Sequence, residues 1–162
     1  MAETLSVTDM LPNKFEPKRK FRWVFAVEGI DAFLMKTANR PTINTAEQEV
    51  SYMNSPRYLA GKTKFDAISC TLHDPIAPSG AQQVMEWVRT HFESVSGRAG
   101  YADFYKRDCQ LKLLDPVGTV VELWDLKGCF LTSASFGDLD YGGEDPTEIS
   151  LTIRFDNCVL QY

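Results

Sequence analysis

Few residues in this chain are of a type that does chemistry, and their spacing decides what each can do. His73 and Asp74 are adjacent, just before Pro75. A histidine oriented by a carboxylate is the usual general base. Neighbours in a strand point to opposite faces, however, so this pair needs a distorted backbone to act as a dyad. His91 falls in or beside the apolar stripe of a helix, where packing accounts for it better than metal ligation. The cysteines Cys70, Cys109, Cys129 and Cys158 form no C-x-x-C pair, and neither histidine sits near a cysteine doublet. Zinc sites draw on closely spaced ligands, so free thiols half-buried in strands are expected instead. The chain has no G-x-S-x-G, no phosphate-cradling glycine loop and no H-E-x-x-H. No catalytic residue, cofactor site or metal site is assigned, and an enzyme is not expected.

Other stretches resemble binding motifs only in outline. "DLDYGGEDPTE" is acidic, but in a calcium-loop register Gly142 takes a ligand position and Ile149 stands where the bidentate Glu belongs. "RAGYADFYK" has the aromatics of an RNA-binding strand, but Asp103 occupies a stacking position. The glycine pair of "GRAG" follows one helix and does not join two.

Charge is the more informative signal. The net charge of −5 disfavours generic nucleic-acid binding. Its distribution is uneven: "KFEPKRKFR" holds Lys14, Lys18, Arg19, Lys20 and Arg22 against one Glu, whereas residues 137–148 hold Asp138, Asp140, Glu144, Asp145 and Glu148 and no base. Of these, Lys18, Arg19 and Lys20 on one side, and Asp138, Asp140, Glu144 and Asp145 on the other, are candidates for head-to-tail contact between copies.

The elements that would position these groups are mostly strands. Residues 1–14 read as a flexible N-terminal arm and 15–162 as one domain. The first residues lack a secretory leader's pattern, and the longest apolar run, "WVFAV", is far too short to cross a bilayer. A soluble, cytosolically made protein is expected, with no membrane partner. "FRWVFAVE" alternates, Gly29-Ile30-Asp31 reads as a turn, and "AFLMKT" completes a hairpin. "TKFDAISCTLHD" is one strand, with Ile68, Cys70 and Leu72 inward. Ser79 caps a helix whose stripe is Val84, Trp87, Val88, His91, Phe92 and Val95, and Gly97 ends it. "CQLKLLD" and "TVVELWDL" form a second hairpin, "KGCFLTSASF" follows, and "EISLTIRFD" puts Ile149, Leu151, Ile153 and Phe155 inward. About seven strands and one helix predict a mainly β protein, an antiparallel β-sandwich or barrel with one flanking α-helix.

One segment fits no element. Residues 38–62 have turn punctuation and no sustained period, yet carry Val50, Tyr52, Met53, Tyr58 and Leu59. Structureless connections of that length are uncommon in compact domains, and disorder goes with low hydrophobicity.

Taken together, "NRPTINTAEQEVSYMNSPRYLAGKTKFDAISCTLHD", "AQQVMEWVRTHF" and "ELWDLKGCFLTSASFGDLDYGGEDPTEISLTIRFD" resemble the tail tube proteins of contractile-tailed bacteriophages. The resemblance rests on the order of features over about residues 20–158. It implies a self-assembling virion protein: six copies per ring, rings stacked into the inner tube of the tail, and sheets joined into one β-barrel around a channel. It also implies tail sheath, baseplate and tail terminator proteins as partners, DNA passing through the lumen without specific binding during genome ejection, and assembly in the host cytoplasm. The long loop would reach a neighbouring copy, making Tyr52, Met53, Tyr58 and Leu59 subunit-interface anchors. Glu122 and Asp125 lie in a candidate lumen strand, on opposite faces. The same fold serves R-type bacteriocins and type VI secretion systems. A reading of a different class is a monomeric, ligand-binding β-barrel.

Overall fold

The computed structural model describes residues 14–162. Nearly all of the expected N-terminal arm, residues 1–13, lies outside the described residues. Strand alternation builds most of the chain: β1 (Trp23–Val27), β2 (Met35–Ala38), β3 (Ile43–Tyr52), β4 (Ser55–Phe65), β5 (Ile68–His73), β6 (Arg107–Leu114), β7 (Val120–Ser135), β8 (Glu148–Arg154) and β9 (Asn157–Leu160). Helix α1 spans Gly80–His91 and a single turn, α2, spans Ala102–Tyr105.

All pairings are antiparallel, and the main sheet runs β1-β6-β7-β8-β5-β2, with β9 also on β7. The long strand β7 is shared between two layers. Its first half pairs with β6 and β9, and its second half pairs with β8. Gly128 makes the corner between them, at φ +68°, where an added Cβ would lie 2.3 Å from an Asp156 carboxylate oxygen. Only glycine adopts that backbone freely. The expectation of two strands at 119–126 and 127–136 is therefore corrected to one strand with a glycine corner.

The inward faces match the alternation read from sequence. Phe25, Val27, Ile68, Cys70, Leu72, Leu111, Leu126, Ile149, Leu151, Ile153 and Phe155 are all buried in one core. The expected β1–β2 hairpin is not formed. Gly29 does turn, at φ +83°, but β1 pairs with β6 and β2 with β5, at the two ends of the sheet. A 3-10 turn at Ala32–Leu34 with buried Leu34 lies between them, and the bridge Val27–Ile30 closes the turn at the end of β1. Trp23 of β1 and Lys36, Thr37 and Ala38 of β2 line one cleft, so the sheet curls until its two ends face each other and the sandwich is a barrel with an incomplete seam.

Helix α1 starts where predicted: the Ser79 hydroxyl accepts from the Gln82 N–H. It ends earlier than its apolar stripe predicts. Phe92 is extended (φ −144°), and the Gly100 N–H donates to the His91 carbonyl. The returning chain passes so close that a Cβ on Gly100 would lie 2.0 Å from the Thr90 carbonyl oxygen. Gly97, at φ +70°, closes a separate turn with Glu93. Val84 and Trp87 are buried as expected, whereas His91, Phe92 and Val95 are exposed. His91 rests edge-on against Tyr105, with ring centroids 4.7 Å apart.

The cysteines are free, as read from sequence. Cys70, Cys109 and Cys129 are buried and Cys158 is half-buried. Burial pushes the Cys70 thiol up to about 12 and the Cys158 thiol up to about 11, so both stay protonated near neutrality.

Candidate functional site

Segment 38–62 is corrected most. It is not an irregular loop: β3 and β4 form a two-stranded ribbon paired from Ile43–Phe65 to Tyr52–Ser55. A bulge near Ala46 faces Gly61, where a Cβ would lie 2.9 Å from the Ala46 carbonyl oxygen. The ribbon joins the barrel at its base. The Asp66 N–H donates to the Thr42 carbonyl at 3.0 Å, and Phe65 packs on Phe155 with ring centroids 5.6 Å apart. Beyond that base every residue of β3 and β4 is exposed.

Directly paired residues share a face. The register therefore puts Val50, Tyr52 and Leu59 on one face with Gln48 and Arg57, and Tyr58 on the other with Glu49 and Pro56. Met53 is at the tip. Neither face is consistently apolar, because neither faces the core, and that is why no period of two could be read. The sequence-predicted anchors remain solvent-accessible in the single chain: Tyr52 at 68%, Met53 at 87%, Tyr58 at 61% and Leu59 at 58% exposed. Apolar side chains on both faces need cover on both faces, which a flat surface cannot supply.

The charged candidates border two adjoining clefts. Lys18, Arg19 and Lys20 line a cleft of about 490 Å³ at the open seam, over a floor of Trp23, Leu111 and Leu113. The sequence reading missed two further cations there, Lys36 and Arg40. Lys36 is the extra residue of a bulge in β2, and no sequence signal marks it. Asp138, Asp140 and Asp145 line the second cleft; Lys36 borders both and is paired with Glu148. Glu144 is exposed in the same segment.

Of the two acids on opposite faces of β7, Glu122 is the buried one. It is 5% exposed on the inner side of β7, where it accepts from Lys18 and from Trp124 Nε1 and lies 3.6 Å from Arg40. Burial raises its pKa, but the hydrogen bonds from Lys18 and Trp124 and the charges of Lys18 and Arg40 outweigh that and hold it below the ordinary range. Glu122 thereby ties the N-terminal basic segment and the approach to the ribbon to one point of the barrel. Asp125, on the opposite face, accepts from Gln110 and Gln161.

Asp74 caps helix α1 through the Ala81 N–H at 3.2 Å and makes no hydrogen bond with His73 among the described residues. The described residues hold no metal-binding cluster of three or more His, Cys, Asp or Glu. No helix among them is long and apolar enough to cross a membrane.

No protein-family model matches the chain, and no curated protein matches it. Solved structures do. A chain of the structure described as the sheath/tube terminator of an extracellular contractile injection system matches with TM-score 0.75 and 16% identity, covering 92% of this chain and 99% of that one. A chain of the anti-feeding prophage tube-terminating cap matches with TM-score 0.74 and 16% identity, covering 97% and 99%. Hcp1 from Flavobacterium johnsoniae matches with TM-score 0.51 and 13% identity, covering 87% and 95%. None of the three is described as an enzyme. At such identities the likeness is one of fold: a mainly antiparallel β-barrel with a flanking helix, of the kind found in tube and terminator assemblies of contractile injection systems.

Proposed function

We propose that this chain is a structural tube protein of a contractile tail, which assembles into hexameric rings stacked into the inner tube. The observation that carries this reading is the ribbon, whose apolar residues lie on two faces and have no cover in the single chain. A ribbon clamped between neighbouring copies buries both faces at once. In this role Tyr52, Met53, Tyr58 and Leu59 anchor the contact, as aromatics and Met do at interface cores. Joining the sheets of neighbouring copies also removes exposed strand edges. The basic segment (Lys18, Arg19, Lys20) and the acidic one (Asp138, Asp140, Glu144, Asp145) then supply contacts between rings. Sheath, baseplate and terminator proteins are the partners. DNA passes through the channel unbound on its way out of a phage particle, and assembly takes place in the host cytoplasm.

A second reading within the same class is the tube of an R-type bacteriocin or secretion-type machine. The injection-system origin of the structural neighbours favours it. The monomeric ligand-binding barrel fares worse, because the barrel interior is filled by its own side chains.

Negative-stain microscopy of the purified protein tests the proposal, with rings or tubes expected. Replacing Tyr52 and Tyr58 by Ala should abolish rings while leaving the monomer's melting unchanged. Lost monomer stability with normal assembly would overturn the ribbon's assigned role.

A further inference from the structure

The two strands at the ends of the sheet, β1 and β2, leave a seam that the single chain does not close. Its floor is apolar (Trp23, Leu111, Leu113) and its rim is cationic. Lys18 and Arg40 share one carboxylate, Glu122, and Lys36 holds Glu148. Arg19 and Lys20 meet no carboxylate within 4.0 Å among the described residues. Five cations against two carboxylates leave the rim positive. An apolar trough with a positive rim fits an acidic segment that also presents large apolar side chains.

The chain carries such a segment. Asp138-Leu139-Asp140-Tyr141 lies outside any helix or strand, with Leu139 87% exposed and Tyr141 fully exposed. Tyr141 opens a turn in which the Gly143 N–H donates to the Asp140 carbonyl and the Gly142 N–H to the Asp140 carboxylate, so the two acids and the two apolar side chains sit together on one exposed loop. In a single copy this segment borders the neighbouring cleft, which meets the seam at Lys36, and its apolar side chains stay in solvent.

We propose that Leu139 and Tyr141 of one copy seat on the Trp23–Leu111–Leu113 floor of a second copy, with Asp138 and Asp140 meeting Arg19, Lys20 and Arg40 at its rim. This rests on the stacking reading above and gives it a specific contact. One-way seating propagates into a filament, whereas reciprocal seating closes a two-fold pair.

A charge exchange between two variants tests it. One carries D138K and D140K, the other R19E and K20E; all four positions are exposed, and each variant's melting checks its fold. Each variant alone retains one wild-type partner surface facing a like charge, so tube formation should need about tenfold more protein or more. A one-to-one mixture restores opposite charges at every contact and should restore tubes at the wild-type concentration. L139A with Y141A should raise the required concentration without any change in charge. Tubes from either charge variant at the wild-type concentration, or a mixture that recovers nothing, overturn this contact and leave the ring proposal standing. Recovery as closed pairs upholds the contact and overturns stacking. A wild-type protein that stays a single particle at high concentration overturns both.

Discussion

The barrel and the ribbon are both antiparallel β-structure, and they differ in what shelters their side chains. The barrel core gathers Phe25, Leu34, Leu72, Trp87, Leu126, Ile149 and Ile153 behind two layers and a helix. The ribbon makes nine register pairs over two strands of 10 and 11 residues, yet it supplies no buried side chain. An isolated two-stranded hairpin is marginal in water. The ribbon's backbone hydrogen bonds are therefore satisfied while its side chains lack cover, which is what the proposed contact with a neighbouring copy would supply. Local stability should fall steeply from barrel to ribbon.

The largest effect that could break this contrast lies in the helix. Trp87 is 1% exposed, its Nε1 donates to the Tyr105 carbonyl at 2.8 Å, and the Arg107 guanidinium lies 5.2 Å from its ring centre. Trp87→Ala should cost about 3–5 kcal/mol, read from denaturant unfolding of the unassembled chain. Tyr52→Ala in the ribbon should stay within about 0.5 kcal/mol by the same measurement. Comparable losses at the two sites would mean that the ribbon belongs to the barrel's cooperative unit, and the contrast would be gone.

An intermediate effect sits at the junction. Glu122 holds Arg40, just before the ribbon, and Lys18. Glu122→Gln keeps a side chain of the same shape and removes the charge. With both cations about half exposed, a loss of about 1–2 kcal/mol at neutral pH is expected. The folded pKa is depressed despite burial, because Lys18 and Trp124 donate to the carboxylate and Lys18 and Arg40 add their charges. The stabilisation is therefore full above the unfolded carboxylate's pKa and is lost as pH falls through the folded value. The gap between wild type and variant should close on acidification. A gap that stays constant with pH would show that Glu122 acts by packing alone. Faster amide exchange at 40–46 in the variant would confirm that the junction steadies the ribbon.

The barrel was legible in the sequence wherever a strand had one wet and one dry face. Alternation identified Ile68, Cys70 and Leu72, and likewise Ile149, Leu151, Ile153 and Phe155, because burial enforces a period of two. It failed where that cause is absent. β3 and β4 have two wet faces, so Tyr52 and Tyr58 fall on opposite sides and no pattern survives. It also failed where partners are distant in sequence: β1 and β2 looked like a hairpin, but each found a non-local partner. "TVVELWDL" and "KGCFLTSASF" were read as two strands, whereas one strand runs through both and turns a corner at Gly128. The charged segments were visible by composition. That Lys36 and Arg40 join Lys18 at one seam required the fold.

The smallest effect sharpens the contrast most, because it gives opposite signs to order and assembly. Met53 begins the two-residue turn at the ribbon's tip with φ +50°, and it is the ribbon's one residue with positive φ. A hairpin turn with positive φ at its first central position normally has Gly there. A side chain in left-handed backbone costs about 1–2 kcal/mol, and glycine's extra freedom in the unfolded chain returns about 0.5–1 kcal/mol of that. Met53→Gly should thus steady the turn by up to about 1 kcal/mol, slowing amide exchange in the ribbon by up to about fivefold. The barrel's unfolding midpoint should not move, since the ribbon opens separately. Assembly should weaken all the same, because the side chain removed is 87% exposed in the single chain and is the one at the tip that a neighbour can bury. If assembly strengthens instead, a pre-ordered ribbon matters more to the neighbour than the methionine does. A strained Met where Gly would rest easily is then left without a role in the contact, and the tip drops out of the interface.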